Sequence, residues 1–225
     1  MSARRLAGLG AAAVTVALVL FAWLHLTGPS AALDWRTRTI SQYALLDNGW
    51  AFDTATLLLA AGSAAILAAL VRARVIGAGS GSAAALALWV AGLIGVVWFE
   101  KHNWAVGPSP SGDIHRAASV VAFLSLPAAA LLAGVPRLRG PHPRAAAVIT
   151  LAGMVSLLCF SPILWAVLTE PWTGVRWWRA IPLGAVERVL GLAEVTTLLL
   201  MAWWAAGQAA VSAADPVSRA GNRSR

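Results

Sequence analysis

The sequence predicts an all-α fold: a polytopic transmembrane helix bundle of six spans, with the N- and C-termini cytoplasmic. Three observations lead there. The apolar fraction of the 225 residues is 59% and the charged fraction 12%, against about 45–50% and about 25% in a soluble domain. A water-soluble chain of this length could not hide that much apolar side chain, because its surface would still need polar cover; the mean hydropathy of +0.73 agrees. Second, six apolar blocks meet the roughly 17–25 residues that a helix needs to cross a bilayer. Third, the basic residues are spread unequally over the segments between those blocks. The same figures exclude a disordered chain, a collagen and a disulfide-built scaffold, the last because Cys159 is the only cysteine. The net charge of +8 does not indicate a nucleic-acid partner: no basic run with interleaved aromatics exists, and the arginines sit between apolar blocks.

The first span is placed at residues 6–26, behind Arg4-Arg5. A signal peptide is the competing assignment, with Pro29-Ser-Ala-Ala32 as its end. The apolar run exceeds the usual 7–15 residues of such a segment and five more spans follow, so a retained helix is expected. The second and third spans are placed at 52–71 and 83–99, separated by Gly77-Ala-Gly-Ser-Gly-Ser82. The fourth, 114–135, follows Gly107-Pro-Ser-Pro-Ser-Gly112, and the fifth, 145–168, follows Gly140-Pro-His-Pro143. Pro127 and Pro162 interrupt these two spans; each would kink its helix and free a carbonyl. The sixth span is placed at 185–206. Strands of a lipid-facing barrel would alternate in polarity, and these blocks do not. The chain thus divides into a six-helix domain, 1–212, and a polar cytoplasmic tail, 213–225, expected to be disordered.

With the N-terminus inside, the segments around Arg4–Arg5, Arg72–Arg74, Arg137–Arg144 and Arg219–Arg225 hold ten of the 17 basic residues. The positive-inside rule favours this orientation. Eight of the nine acidic residues, all but Asp215, fall in the other half. So do Trp35, Trp50, Trp98, Trp104, Trp172, Trp177 and Trp178, as expected for indoles anchored in the headgroup belt. The expected location is a bacterial plasma membrane.

Three constellations on that outer side carry groups capable of chemistry. In the loop after the first span, Ile40, Tyr43, Ala44 and Leu46 share a helical face, which suits a short interfacial or re-entrant helix. There Ser41, Gln42 and Tyr43 either present polar groups to a ligand or satisfy the loop's own backbone. The second constellation is Glu100-Lys-His-Asn-Trp104 with Ser111-Gly-Asp-Ile-His-Arg116. Asp113 suits the N-cap of the fourth span, which places His115 and Arg116 in its first turn. A cation there opposes the helix dipole, so that end is an anion site or His115 is neutral. In the third, Glu187, Gly191 and Glu194 are spaced i, i+4 and i+7 on one face of the sixth span. Glu194 falls near mid-membrane, where an ionisable side chain is costly and faces the bundle interior or water. Gly191 would let a neighbouring helix or a ligand come close. Pairing of Glu187 with Arg116 or Arg188 is the structural alternative.

Thr39–Trp50 (TISQYALLDNGW) before an Ala/Leu helix, Gly112–Arg116 (GDIHR) leading into a helix with Pro127, and Glu187-Arg188-Val189-Leu190 opening the last helix occur in this order. Together they resemble the domain of unknown function 998 family of prokaryotic integral membrane proteins, over roughly Asp34 to Ala206. The resemblance implies a small six-helix bundle and points to Ser41, Gly112, His115, Glu187 and Arg188; it implies no activity. Where family members often carry a Pro and an Asp-Pro step after the third span, this chain has Glu100-Lys-His-Asn103.

Three function classes follow. The first is a non-enzymatic protein that binds or moves a small or lipid-like ligand through an outward-facing polar pocket. Glu194, Glu187, Arg188, His115, Arg116, Asp113, Ser41 and Tyr43 are its candidate ligand-binding residues, with cations holding an anionic headgroup. The second is a membrane-embedded hydrolase or transferase in which His115, Asp113 and Glu187 act as acid and base. It lacks His-x-x-x-His, His-Glu-x-x-His and Gly-x-Ser-x-Gly, the usual signatures of zinc and serine chemistry. No metal or cofactor is expected. A b-type haem would have only His25 and His115 to use, and His25 is expected simply to end the first span at the headgroups. The third class is an accessory subunit packed beside a membrane-protein partner.

Overall fold

The computed structural model describes residues 1–103 and 105–214. Among them every regular element is helical: α1 (Ala3–Leu26), α2 (Gly28–Ala31), a 3-10 turn at Ile40–Leu45, α3 (Gly49–Arg72), α4 (Gly81–Trp98), α5 (Pro110–Gly134), a 3-10 turn at Val135–Arg137, α6 (Pro143–Thr173), α7 (Trp177–Ala180) and α8 (Leu183–Ala214). Six of these helices, α1, α3, α4, α5, α6 and α8, are long and apolar enough to cross a membrane. Each coincides with one expected span. The tail expected from 213 onward lies, from residue 215, outside the described residues, as do Arg219, Arg223 and Arg225; Trp104 lies outside them too.

The helix ends follow from local chemistry. Ser2, Ser80 and Ser109 each accept a hydrogen bond from the backbone N–H three residues on, satisfying a donor that the first turn leaves open. The start of α5 differs from the sequence expectation. Its N-cap is Ser109, with Pro110 as first helical residue, not Asp113; Pro suits that position because its missing N–H would have no partner there. Asp113 therefore sits inside the first turn and His115 and Arg116 in the second. At the end of α6, Gly174 takes a left-handed φ of 66°, which glycine adopts without a Cβ penalty. Pro127 lies within α5 and Pro162 within α6. The carbonyl that Pro162 frees, that of Leu158, accepts from the Ser161 hydroxyl at 2.6 Å.

Neighbours in sequence are neighbours in space. The long helices pack in the order α1, α3, α4, α5, α6, α8, and α8 closes the ring on α1 while also touching α3 and α5. Small residues set the closest crossings: a Cβ on Gly10 would meet the Gly62 carbonyl oxygen of α3 at 2.7 Å, and one on Gly92 would meet the Ala118 carbonyl of α5 at 2.9 Å. Polar side chains also join the helices. Trp89 Nε1 donates to Ser63 Oγ at 2.8 Å, and Ser82 Oγ donates to the Ala129 carbonyl at 2.8 Å. Alternation of helix direction gathers loops 27–48, 99–109 and 174–182 at one end, called here the polar end. At the opposite end Arg72 donates to the Met1 carbonyl.

Candidate functional site

The Glu187-Arg188 pair at the start of α8 fastens the first loop onto the bundle. Glu187 Oε2 accepts from the Ile40 N–H at 2.8 Å and makes an ion pair with neither Arg116 nor Arg188. Arg188 donates through Nε to His25 Nε2 at 2.6 Å, to the carbonyls of Trp35, Arg38 and Gly184 at 2.8–3.0 Å, and to the Tyr43 hydroxyl at 2.7 Å. The loop backbone comes so close that a Cβ on Gly184 would collide with the Arg38 and Trp35 carbonyls. His25 does more than end α1: its Nδ1 donates to the Phe21 carbonyl at 2.7 Å while Nε2 accepts from Arg188, so both ring nitrogens are occupied.

The second loop is fastened to α5 by two histidines. His102 Nδ1 accepts from the Ser109 N–H at 3.0 Å, and its Nε2 faces Asp113 Oδ1 at 3.3 Å. Gly112 makes room for that ring, since a Cβ there would overlap His102. His115 Nδ1 bonds the Phe99 carbonyl at 2.9 Å, while its buried Nε2 has no hydrogen-bond partner among the described residues. Lys101, the chain's only lysine, turns inward from this loop. It donates to Ser41 Oγ at 2.9 Å and to Thr39 Oγ1, tying the two loops together. Burial pushes Lys101 down to about 8; the charges of Arg38 and Arg116 act in the same direction, and Glu187 opposes them.

Between these fastenings lie two adjoining cavities. The outer one, a vestibule of about 710 Å³, is lined by Arg38, Lys101, Arg116 and Arg179, with Glu187 as its one carboxylate among the described residues. His102, His115, Gln42 and Ser41 complete its polar wall, while Val120, Phe160, Ile163 and Trp177 form an apolar one. The inner chamber, about 340 Å³, is mainly apolar and is lined among others by Phe21, Phe52, Trp89 and Phe123, with His25, Glu187, Arg188 and Glu194 as its ionisable groups. Ser41, Ser119, Phe123 and Glu187 line both cavities. Glu194 is fully buried and both its carboxylate oxygens lack a hydrogen-bond partner among the described residues.

Of the eight residues singled out in the sequence, the fold places Ser41, His115, Arg116 and Glu187 on the vestibule and Arg188 and Glu194 on the chamber. Tyr43 and Asp113 line neither. Tyr43 is buried under the loop as the acceptor of Arg188, and Asp113 is largely exposed beside His102. Sequence reasoning missed Lys101, Arg38 and Arg179. The signal for Lys101 was its uniqueness; Arg38 and Arg179 look like any interfacial arginine until the loops fold inward. Trp35, Trp50, Trp98 and Trp172 are exposed at the polar end, as an interfacial belt requires.

Among the described residues no three His, Cys, Asp or Glu side chains come together in a way that could hold a metal ion. No curated protein and no solved structure matches the chain. A family model described as a protein of unknown function, DUF998, matches residues 7–205. That match covers most or all of each of the six long helices and both fastened loops, so this multi-pass helical chain belongs to the DUF998 family, whose function is unknown.

Proposed function

We propose that the chain binds an amphipathic anion of lipid-like character at the polar end of its bundle, and that this end faces outward across a bacterial plasma membrane. The observation that carries the reading is the vestibule's charge: Arg38, Lys101, Arg116 and Arg179 against the single carboxylate Glu187, facing an apolar wall of α5 and α6. An acidic headgroup would lie among the cations, where charge-assisted hydrogen bonds are strong, and its apolar part against Val120, Phe160 and Ile163. Arg116 and Arg179 are exposed, and among the described residues neither guanidinium makes a hydrogen bond or ion pair, which leaves both forks for a ligand. Arg188, by contrast, is taken up by the loop. The orientation is supported by the positive-inside rule, given Arg4, Arg5, Arg72, Arg74, Arg137, Arg139 and Arg144 at the opposite end.

Purification in mild detergent followed by mass spectrometry of retained lipid tests the reading. Acidic lipid should co-purify with the wild type and fall by about a hundredfold or more in Arg116→Ala/Arg179→Ala, each charged hydrogen bond contributing about 1.5–3 kcal/mol. Equal retention by the double variant would refute it.

A second reading, a membrane-embedded hydrolase or transferase, is favoured by one contact. Lys101, pushed to about 8, holds Ser41 Oγ at 2.9 Å, the relation of base to nucleophile in serine–lysine sites. Covalent labelling of Ser41 by a fluorophosphonate, lost in Lys101→Met, would move the assignment to this class.

A further inference from the structure

The inner chamber differs in charge from the vestibule. Its other ionisable groups are satisfied by the protein: His25 is bonded at both nitrogens, Arg188 donates to the loop and Tyr43, and Glu187 accepts from Ile40. Glu194 is the exception, fully buried on the chamber wall with neither oxygen partnered among the described residues. Gly191, one turn earlier on the same face, leaves open space, since a Cβ there would meet nothing within 4 Å. Phe21, Phe52, Trp89 and Phe123 line the same chamber.

A hydrocarbon chain alone would fill this space but leave both oxygens unmatched, at the cost of a buried polar group without a partner. A cation repairs that deficit, because a buried charge is tolerated when it is paired. An ammonium supplies N–H donors for both carboxylate oxygens, and aromatic faces attract cations as well. The mainly apolar remainder of the wall accepts an apolar body.

We propose that the inner chamber is a binding site for a lipophilic amine cation, with its ammonium on Glu194 and its apolar body among Phe21, Phe52, Trp89 and Phe123. This site is independent of the anion reading of the vestibule.

The test is isothermal titration calorimetry of the full chain in detergent micelles with 4-phenylbutylammonium, alongside its neutral counterpart 4-phenylbutan-1-ol. The amine should bind the wild type, and the alcohol should bind about tenfold more weakly or worse, the loss of one modest ionic interaction. Glu194→Gln should weaken the amine by about tenfold or more, and Glu194→Asp should recover part of that loss. Gly191→Leu, which places a side chain in the open space and leaves Glu194 intact, should also abolish binding and decides the matter if Glu194→Gln does not fold. No amine binding to folded wild type, equal binding of amine and alcohol, or unchanged binding in Glu194→Gln or Gly191→Leu would each overturn the proposal. Acidic-lipid retention should be unaffected in Glu194→Gln, so failure here and failure of the vestibule reading are distinguishable.

Discussion

Arg188 joins α8, α1 and the first loop through one guanidinium, and its loss would leave the Tyr43 hydroxyl, His25 Nε2 and two loop carbonyls without their donor. Orphaning such groups costs about 1–3 kcal/mol each, with strong non-additivity, so Arg188→Ala should lower stability by about 3 kcal/mol in thermal unfolding in detergent. Arg188→Lys should recover less than half of this, since an ammonium cannot reproduce the planar fork. Lys101 makes a pH-dependent prediction. Its folded value of about 8 lies below the ordinary 10.5. Below about 8 the buried ammonium is charged and its burial penalty is present in full. Between about 8 and 10.5 the unfolded chain binds more protons than the folded one, so this penalty is relieved as pH rises. The vestibule loses a positive charge over the same rise. Acidic-lipid binding should therefore weaken above about pH 8, and Lys101→Arg, which stays charged, should flatten that profile.

At the scale of elements, the same substitution has opposite consequences at two glycines of α8. Gly184→Ala would press a Cβ onto the Arg38 and Trp35 carbonyls, which are backbone atoms and cannot swing aside. It should cost about 1–3 kcal/mol and loosen the first loop, as overpacking does. At Gly191 the space is open, and alanine should raise thermal stability by up to about 1 kcal/mol through helix propensity. Parallel melting curves of the two variants check the pair. A helical wheel gives no hint of this difference, because both glycines look alike until the loop's path is known. The helix spans themselves were legible, since a run of some twenty apolar residues has few alternatives in a bilayer. The start of α5 was misplaced because Ser109-Pro110 and Gly112-Asp113 are both good initiation signals; the earlier one has the serine cap and lets Gly112 face His102.

At the scale of the whole molecule, the prediction concerns orientation. In a Cys159→Ala background, Val106→Cys, 88% exposed in the second loop of the polar end, should react with a membrane-impermeant maleimide in intact cells. Ala78→Cys, between α3 and α4 at the opposite end, should react only after permeabilisation. The reverse pattern would invert the topology and with it the outward-facing vestibule. The predicted bundle and the concentration of acidic residues toward one end both follow from one-dimensional patterning, because the bilayer imposes its thickness and its two surfaces on the chain directly.

By itself the sequence determined the helical class, the six spans and the burial of one carboxylate at mid-span in α8. It did so because each depends on local hydropathy, helical spacing and depth alone. The partners of the polar residues emerge only in the folded chain. Arg188, a candidate ligand residue by type, became the loop's fastening; Tyr43 became its acceptor and Asp113 a surface partner of His102. Lys101, Arg38 and Arg179, separated in the chain, converged on one cavity. The physical reason is that a side chain's role is set by which partners reach it: the first loop closes onto α8 through contacts more than a hundred residues apart, and Lys101 reaches Ser41 across 60 residues. The Glu194 carboxylate, legible as a cost in the sequence, lies on the wall of the mainly apolar chamber that the folded helices build.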